Sequence, residues 1–108
     1  MKRGEVRWCT FRYPDKKRPV LILTRDTALA VLSSITVAPI TKTVRHIPTE
    51  VLLTPENDDI LMISAVNLDN IQTVQKPQVG ALITVLKREQ MARVERAICF
   101  ALGMDALL

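Results

Sequence analysis

The sequence has few of the residue types on which metal and cofactor sites depend. Its 108 residues include a single histidine, two cysteines and three glycines. A lone histidine excludes a nuclease that uses paired histidines as acid and base, and Cys9 and Cys99 lack the close spacing of metal ligands. No glycine-rich phosphate-binding motif is present either. We therefore expect no metal or nucleotide cofactor, and we interpret both cysteines as small buried apolar residues.

Long apolar runs and aromatic residues are also scarce. No stretch approaches the roughly 18 consecutive apolar residues of a membrane span, and the first residues are not followed by the apolar segment of a signal peptide. Hydrophobic residues make up 48% of the chain but aromatic residues only 4%, so the core must consist mainly of aliphatic side chains. These features predict a cytoplasmic protein without a membrane partner, folded as one domain over residues 1–108.

Positive charge is concentrated in the first half of the chain. Residues 1–47 carry ten Lys or Arg against three Asp or Glu, whereas residues 48–108 carry five against eight. Arg12, Lys16, Lys17 and Arg18 cluster around one predicted turn. Scattered cations can simply solvate strand faces, but a cluster of this kind indicates a surface that faces a polyanion.

Apolar patterning predicts a mainly β fold. Residues 20–23 are continuously apolar after Pro19, which is typical of a strand buried on both faces. Residues 5–11 alternate, and we expect Trp8 and Phe11 to pack in the core. We predict strands over residues 5–11, 20–23, 34–40, 51–53, 60–63, 71–74 and 81–85, a polar turn at 55–59, a short helix within 26–32, and an amphipathic helix from residue 87 capped by Gly103.

Four short motifs follow one another along the chain in a characteristic order. They are KRGEV at residues 2–6, RPVLIL at 18–23, VAPIT at 37–41 and IPTEV at 47–51. In this order and spacing the chain resembles the MazF/PemK/Kid family of toxin endoribonucleases. The resemblance continues through Asp69 and Asn70 to the C-terminal helix and implies an SH3-like or CcdB-like small barrel with a C-terminal helix, dimerising through its sheet.

The resemblance implies a metal-independent endoribonuclease that cuts single-stranded mRNA. RNA carries its own nucleophile in the 2′-hydroxyl, so the protein must supply proton transfer and positive charge at the phosphate. The expected products are a cyclic phosphate and a 5′-hydroxyl. The implied partners are single-stranded mRNA, a second copy of the chain in a homodimer and a cognate antitoxin, and the implied effect on the cell is growth inhibition.

Three residues match catalytic positions of the family. Arg18, directly before Pro19, matches its catalytic arginine, and the guanidinium fork suits phosphate oxygens; on chemistry alone it is an ordinary surface arginine. Thr41 matches a functional Ser or Thr, although strand-end threonines are common. Asp69 matches an acidic residue that acts as a base or positions the arginine, and it could equally form an Asx turn.

Further residues are candidates for RNA binding. Tyr13 lies in the turn beside the basic cluster and could stack on an unpaired base, and cations and hydroxyls in the same region could follow the phosphates. The complete set of RNA-binding candidates is Arg12, Tyr13, Lys16, Lys17, Arg25, Lys42, Thr43, Arg45 and His46.

The sequence departs from the family pattern in two places. Six residues separate Phe11 from Arg18, where members usually carry a longer loop that contributes a polar catalytic group. Asn67 stands where one branch of the family has an arginine, so a mechanism based on that arginine does not transfer. The alternatives are a binding module of the same fold that has lost turnover, and a CcdB-type gyrase poison, which would require an aromatic C-terminal tail that this chain lacks.

Overall fold

Seven antiparallel strands form one curled sheet, with a single long helix at the C-terminus. A computed structural model describes residues 1–12 and 16–104, without the side chain of Arg12. The strands are β1 (Glu5–Arg12), β2 (Lys16–Ile22), β3 (Ser34–Thr41), β4 (Glu50–Leu53), β5 (Ser64–Asn67), β6 (Gln72–Gln75) and β7 (Val79–Val85). The helices are α1 (Asp26–Leu29), α2 (Pro55–Asp58) and α3 (Arg88–Ala101), and 3-10 turns occupy Leu68–Asn70 and Lys76–Gln78.

The strand β3 lies at the centre of the sheet. The strand order is β4-β5-β3-β2-β1-β7, and β6 pairs with the first half of β3 while β5 pairs with its end. None of the helices in the described part of the chain is long and apolar enough to span a membrane. A mainly β, curled sheet with a C-terminal helix is the fold class that the sequence predicts.

Two apolar clusters lie on opposite faces of the sheet. Because side chains alternate along a strand, Leu21 joins one cluster while Val20 and Ile22 join the other, and all three are fully buried. The continuous apolar run after Pro19 is therefore confirmed as a strand buried on both faces. Cys9 belongs to the second cluster, and burial raises the pKa of its thiol, so the group stays protonated; Cys99 is only half-buried.

The helix α3 packs on the first cluster through Val94 and Ala97, as the helical spacing predicts. Leu102 caps its C-terminus, and Gly103 follows with φ +71°, a left-handed conformation that glycine adopts without strain. The helix thus ends at Ala101, and Gly103 follows the cap residue Leu102 instead of being the cap itself.

The strand predicted over residues 60–63 is wrong. Thr54 caps α2 by accepting a hydrogen bond from the Asn57 N–H at 3.2 Å, and Pro55 occupies the first turn, so the chain turns helically where the sequence predicted an irregular polar turn. The chain then passes through an exposed loop in which Leu61 is 95% exposed. The strand itself starts at Ser64.

The expected core position of Trp8 is also wrong, because its side chain is 41% exposed. Trp8 lies opposite Pro19 in the β1–β2 ladder and shares the face of Val6, which is buried in the cluster under α3. Trp8 lies two residues further along β1 and is not part of that cluster. Phe11 packs against the second cluster, as predicted.

A buried polar network joins α2, β4 and α3. The Asp58 carboxylate, in a residue 4% exposed, accepts hydrogen bonds from the Thr54 N–H at 2.9 Å and from Gln90 Nε2 at 3.0 and 3.1 Å. Gln90 Nε2 also donates to the Leu52 carbonyl at 2.9 Å. The network fixes the end of β4 against the helix, because it gives hydrogen-bond partners to the side chains of Asp58 and Gln90, which are both buried.

Replacing Gln90 by leucine should therefore destabilise the protein. Gln90→Leu leaves the Leu52 carbonyl without its donor and the buried Asp58 carboxylate with only the Thr54 N–H and Asn57 Nδ2, and we expect the free energy of unfolding to fall by about 1–3 kcal/mol. The measurement is urea denaturation followed by circular dichroism. Arg96→Leu, at an exposed position of the same helix, is the control and should change stability by less than about 0.5 kcal/mol. Equal stability of the two variants would contradict a stabilising role for the network.

Candidate nucleic-acid interface

A groove of about 1000 Å³ lies at the end of the sheet where β2 begins and β3 ends. One part of its lining is cationic and hydroxylic, and comprises Lys16, Lys17, Arg18, Thr41, Lys42 and Thr43. The apolar part includes Trp8, Phe11, Pro19, Pro39, Ile40, Leu61 and Met62. Amide side chains of Asn67, Asn70 and Gln72 complete the lining. The groove thus combines positive charge, hydroxyls, amides and an exposed indole, a suitable set for a single-stranded nucleic acid.

Arg18 and Thr41 line the same groove. The last pair of the β2–β3 ladder is Val20 with Pro39, and Arg18 near the start of β2 and Thr41 at the end of β3 each lie two residues beyond it, at the same end of the ladder. Arg18 is exposed, so its guanidinium can reach a ligand in the groove. The Thr41 hydroxyl oxygen accepts a hydrogen bond from the Thr43 N–H at 3.1 Å, which leaves the hydroxyl hydrogen available for a phosphate oxygen.

Further predicted RNA-binding residues reach the groove for the same topological reason. Lys16 and Lys17 begin β2, and Lys42 and Thr43 directly follow β3. Because β2 and β3 are antiparallel, the start of one strand lies beside the end of the other. Residues that are more than twenty positions apart in the sequence therefore form one cationic surface.

Asp69 is not among the residues that line the groove. It lies in the 3-10 turn after β5, and its Oδ2 accepts a hydrogen bond from the Thr49 hydroxyl at 2.6 Å. The Leu68 N–H also donates to the Thr49 carbonyl at 2.9 Å. The carboxylate therefore holds the segment before β4 against the turn, while its neighbour Asn70 faces the groove.

Three other predicted RNA-binding residues lie outside the groove. Arg45 forms an ion pair with Glu50, whose side chain is only 2% exposed, with 3.0 Å between Arg45 Nε and Glu50 Oε2. His46 is exposed with φ 55°, and Arg25 is an exposed residue that precedes α1. Tyr13 and the side chain of Arg12 lie outside the described residues.

The sequence pattern indicates neither the amide side chains of the groove nor the exposure of Trp8. Asn67 Oδ1 accepts a hydrogen bond from the Asp69 N–H at 3.0 Å, so Asn67, not Asp69, caps the 3-10 turn. Its amide nitrogen is thereby left as the group that can donate into the groove. Asn and Asp near a strand end do indicate a turn, but that pattern contains no information about which surface the turn borders.

No group of three or more His, Cys, Asp or Glu side chains that could hold a metal ion is found within residues 1–12 and 16–104.

Comparison with known proteins agrees with this arrangement. A family model described as PemK-like, MazF-like toxin of type II toxin-antitoxin system matches residues 2–102. The probable endoribonuclease MazF5 of Mycobacterium tuberculosis is 44% identical over 100 residues, which are 93% of this chain and 87% of that protein. Endoribonuclease MazF3 of the same species is 42% identical over 91 residues, 84% of this chain and 87% of that protein.

Solved structures show the same fold. The Mycobacterium tuberculosis toxin MazF-mt6 superposes with a TM-score of 0.84 at 38% identity, covering 94% of this chain and 98% of that toxin. An endoribonuclease in complex with its cognate antitoxin, from a mycobacterial species, gives a TM-score of 0.85 at 28% identity, with 96% of each chain covered. On the family match over nearly its whole length and on these relatives, the chain belongs to the PemK-like, MazF-like toxins of type II toxin-antitoxin systems.

Proposed function

We propose that the chain is a toxin endoribonuclease that cuts single-stranded mRNA in the groove without a metal ion. The relatives are named as endoribonucleases. The single observation that carries the proposal is that Arg18 and Thr41 line one groove together with Lys16, Lys17 and Lys42. In the proposed reaction the 2′-hydroxyl attacks the adjacent phosphate, the bond to the 5′-oxygen breaks, and the products are a cyclic phosphate and a 5′-hydroxyl.

Arg18 supplies most of the charge stabilisation in this mechanism. Its planar fork can donate two hydrogen bonds to the non-bridging oxygens, which gain negative charge as the phosphorane forms. The Thr41 hydroxyl donates to one of the same oxygens and fixes the orientation of the scissile phosphate. Both residues belong to strands of the sheet, so their backbone positions are fixed before substrate binds.

Asp69 has a positioning role in the proposed mechanism. Its Oδ2 is hydrogen-bonded to the Thr49 hydroxyl, and the residue borders the groove through Asn67 and Asn70 without lining it. The carboxylate therefore keeps the turn and its amides in place against the scissile phosphate. The general base remains without an assigned residue among those that line the groove.

The remaining residues of the groove bind the RNA chain on either side of the cut. Lys16, Lys17 and Lys42 contact phosphates, which fixes the register of the strand without reading sequence. Trp8 offers an exposed ring face on which an unstacked base can lie, and the Asn67 amide can donate to a base edge. Sequence preference would therefore come from the wall opposite the lysines.

The proposal includes a cytoplasmic homodimer held inactive by a cognate antitoxin. The loop after α2 exposes Leu61 and Met62, which line the groove, and Ile63, by 95%, 49% and 57%, an apolar surface that suits a second copy of the chain. One of the similar structures is a complex with an antitoxin. Growth inhibition follows from uninhibited cleavage of mRNA.

A binding module without turnover is the second candidate. The observation in its favour is the short connection between β1 and β2, where residues 13–15 alone separate the two strands. A connection of this length leaves little chain from which to supply an additional proton acceptor. The gyrase-poison alternative is not supported, because the family model and the relatives are those of the endoribonuclease toxins.

Substitution of Arg18 tests the catalytic proposal. Arg18→Ala should lower the rate of cleavage of a long unstructured RNA in EDTA by about 10²–10³-fold, since a donor to the developing charge is lost. Arg18→Lys should recover little of this loss, because a lysine keeps the charge but not the fork. The measurement is gel analysis of cleavage with chemical mapping of the new ends, which should be 5′-hydroxyls.

Arg88→Ala is the matched control, because Arg88 is an exposed arginine that does not line the groove. Its cleavage rate should equal that of the unchanged protein. RNA left intact by the folded, unchanged protein would instead favour the binding module.

The proposed stacking of a base on Trp8 can be tested separately from RNA cleavage, by measuring RNA binding to the Arg18→Ala protein. Adding Trp8→Ala should weaken binding of a short single-stranded RNA by about 5–160-fold, which corresponds to the loss of about 1–3 kcal/mol of stacking. Trp8→Phe keeps an aromatic face and should bind within about threefold of the parent. Fluorescence anisotropy with labelled RNA gives the affinities. Unchanged affinity of Trp8→Ala would rule out stacking at this position.

A further inference from the structure

A second concave surface, of about 610 Å³, lies between β4 and α3. We call it the β4–α3 pocket and define it by Leu52 of β4, Asp58 of α2, and Gln90, Arg93, Arg96 and Phe100 of α3. It shares no lining residue with the groove that contains Arg18. A ligand in the pocket therefore does not occupy the proposed RNA site.

The free edge of the sheet faces this pocket. β4 is the last strand of the sheet and pairs only with β5. The Leu52 carbonyl accepts from Gln90 and the Glu50 N–H donates to the Ile47 carbonyl at 3.0 Å, so residues 50 and 52 direct their backbone groups away from β5. Since the N–H and C=O of one strand residue point to the same side, the Leu52 N–H and the Glu50 C=O also lie on this free edge.

These two backbone groups have no protein partner within the described part of the chain. Their spacing allows a single residue of an added strand to form two hydrogen bonds. The carbonyl of that residue would accept from the Leu52 N–H, and its N–H would donate to the Glu50 carbonyl. The other edge groups nearby are already satisfied, because Gln90 binds the Leu52 carbonyl and Asp58 binds the Thr54 N–H. The pocket therefore leaves room for one short extended segment rather than for a long strand.

The accessible charge of the pocket is positive. Arg93 and Arg96 are exposed on one face of α3. Arg93 donates a single hydrogen bond to Gln90 Oε1 at 2.8 Å and so keeps further donors for a ligand. The two acidic residues of the lining are not available to oppose an anion, because the Glu50 side chain is 2% exposed and paired with Arg45, and Asp58 is buried in its network.

Apolar surface lies between the arginines and the strand edge. Phe100 is 50% exposed and Leu52 43% exposed, and both line the pocket. An apolar side chain of an added strand that packs against Phe100 and Leu52 would be removed from water. A neighbouring acidic residue of the same strand could pair with the guanidinium of Arg93 or Arg96. The surface is thus complementary to a segment in which apolar and acidic residues alternate.

We propose that the β4–α3 pocket is a docking site for an extended acidic and apolar segment of the antitoxin, which adds a short strand to the free edge of β4. The inference rests on the antitoxin partnership of the proposed function. It adds a site separate from the RNA groove, with backbone pairing at Leu52 and Glu50 and side-chain selection by Arg93, Arg96 and Phe100.

The test uses synthetic peptides and no RNA, so its outcome does not depend on cleavage. A capped hexapeptide of alternating aspartate and leucine is added to the uniformly ¹⁵N-labelled protein, and a hexapeptide of alternating lysine and leucine is the control probe. The acidic peptide should shift the Leu52 amide resonance and slow its hydrogen exchange by about tenfold or more, because that N–H becomes hydrogen-bonded. The basic peptide should do neither.

Charge reversal identifies the arginines. Arg96→Glu should weaken binding of the acidic peptide by about tenfold or more, whereas Arg88→Glu, the same change at an exposed arginine outside the pocket, should leave it within about twofold. Phe100→Ala should also weaken binding.

Resonance changes confined to Lys17, Lys42 and their neighbours would place the peptide in the groove and overturn the proposal, as would an unchanged exchange rate at Leu52. Failure of RNA cleavage with a normal Leu52 response would count against the nuclease and not against the pocket.

Discussion

The pairing of β2 with β3 is the constraint on which the rest of the structure depends. Leu21 and Ala38 face one apolar cluster, while Val20, Ile22 and Val37 face the other, so both faces of this ladder are buried. A slip of one residue would exchange the two faces of a strand and remove one set of side chains from its cluster. The register that the core enforces also brings Arg18, near the start of β2, to the same end of the sheet as Thr41 at the end of β3. Packing in the two clusters therefore determines which residues meet in the groove.

Charge along the sequence is a poor guide to which cations are available to a ligand. The basic first half of the chain divides into two groups in the structure. Arg3, Arg7 and Arg45 form ion pairs with Glu95, Glu5 and Glu50, and these three arginines are not among the residues that line the groove. The hydrogen bond from Arg7 lowers the pKa of Glu5 although burial raises it, so this pair is a structural contact. The cations that begin β2 and follow β3 line the groove.

The pattern of neighbouring residues predicted those elements that depend on contacts between residues close in the sequence. The doubly buried strand after Pro19, the long helix and its end shortly before Gly103 all followed from neighbouring residues, and with the family motifs they led to the fold and to Arg18 and Thr41. The strand predicted at 60–63 failed because an apolar run shows neither the Thr54 cap nor the contact between Asp58 and Gln90, which is 32 residues distant. The predicted burial of Trp8 was wrong because the alternation of side chains assigns Trp8 to a face of the sheet but does not show how much of that face α3 covers.

The separation of the groove from the β4–α3 pocket has a consequence for inhibition. A segment docked against Leu52 and Arg96 would leave the groove open, because the two surfaces have no residue in common. Such a segment would nevertheless keep the rest of the antitoxin close to the toxin and raise its effective concentration at the groove. The rest of the antitoxin could then compete with RNA for the lysines and Arg18 of the groove, so that the two surfaces contribute to inhibition separately.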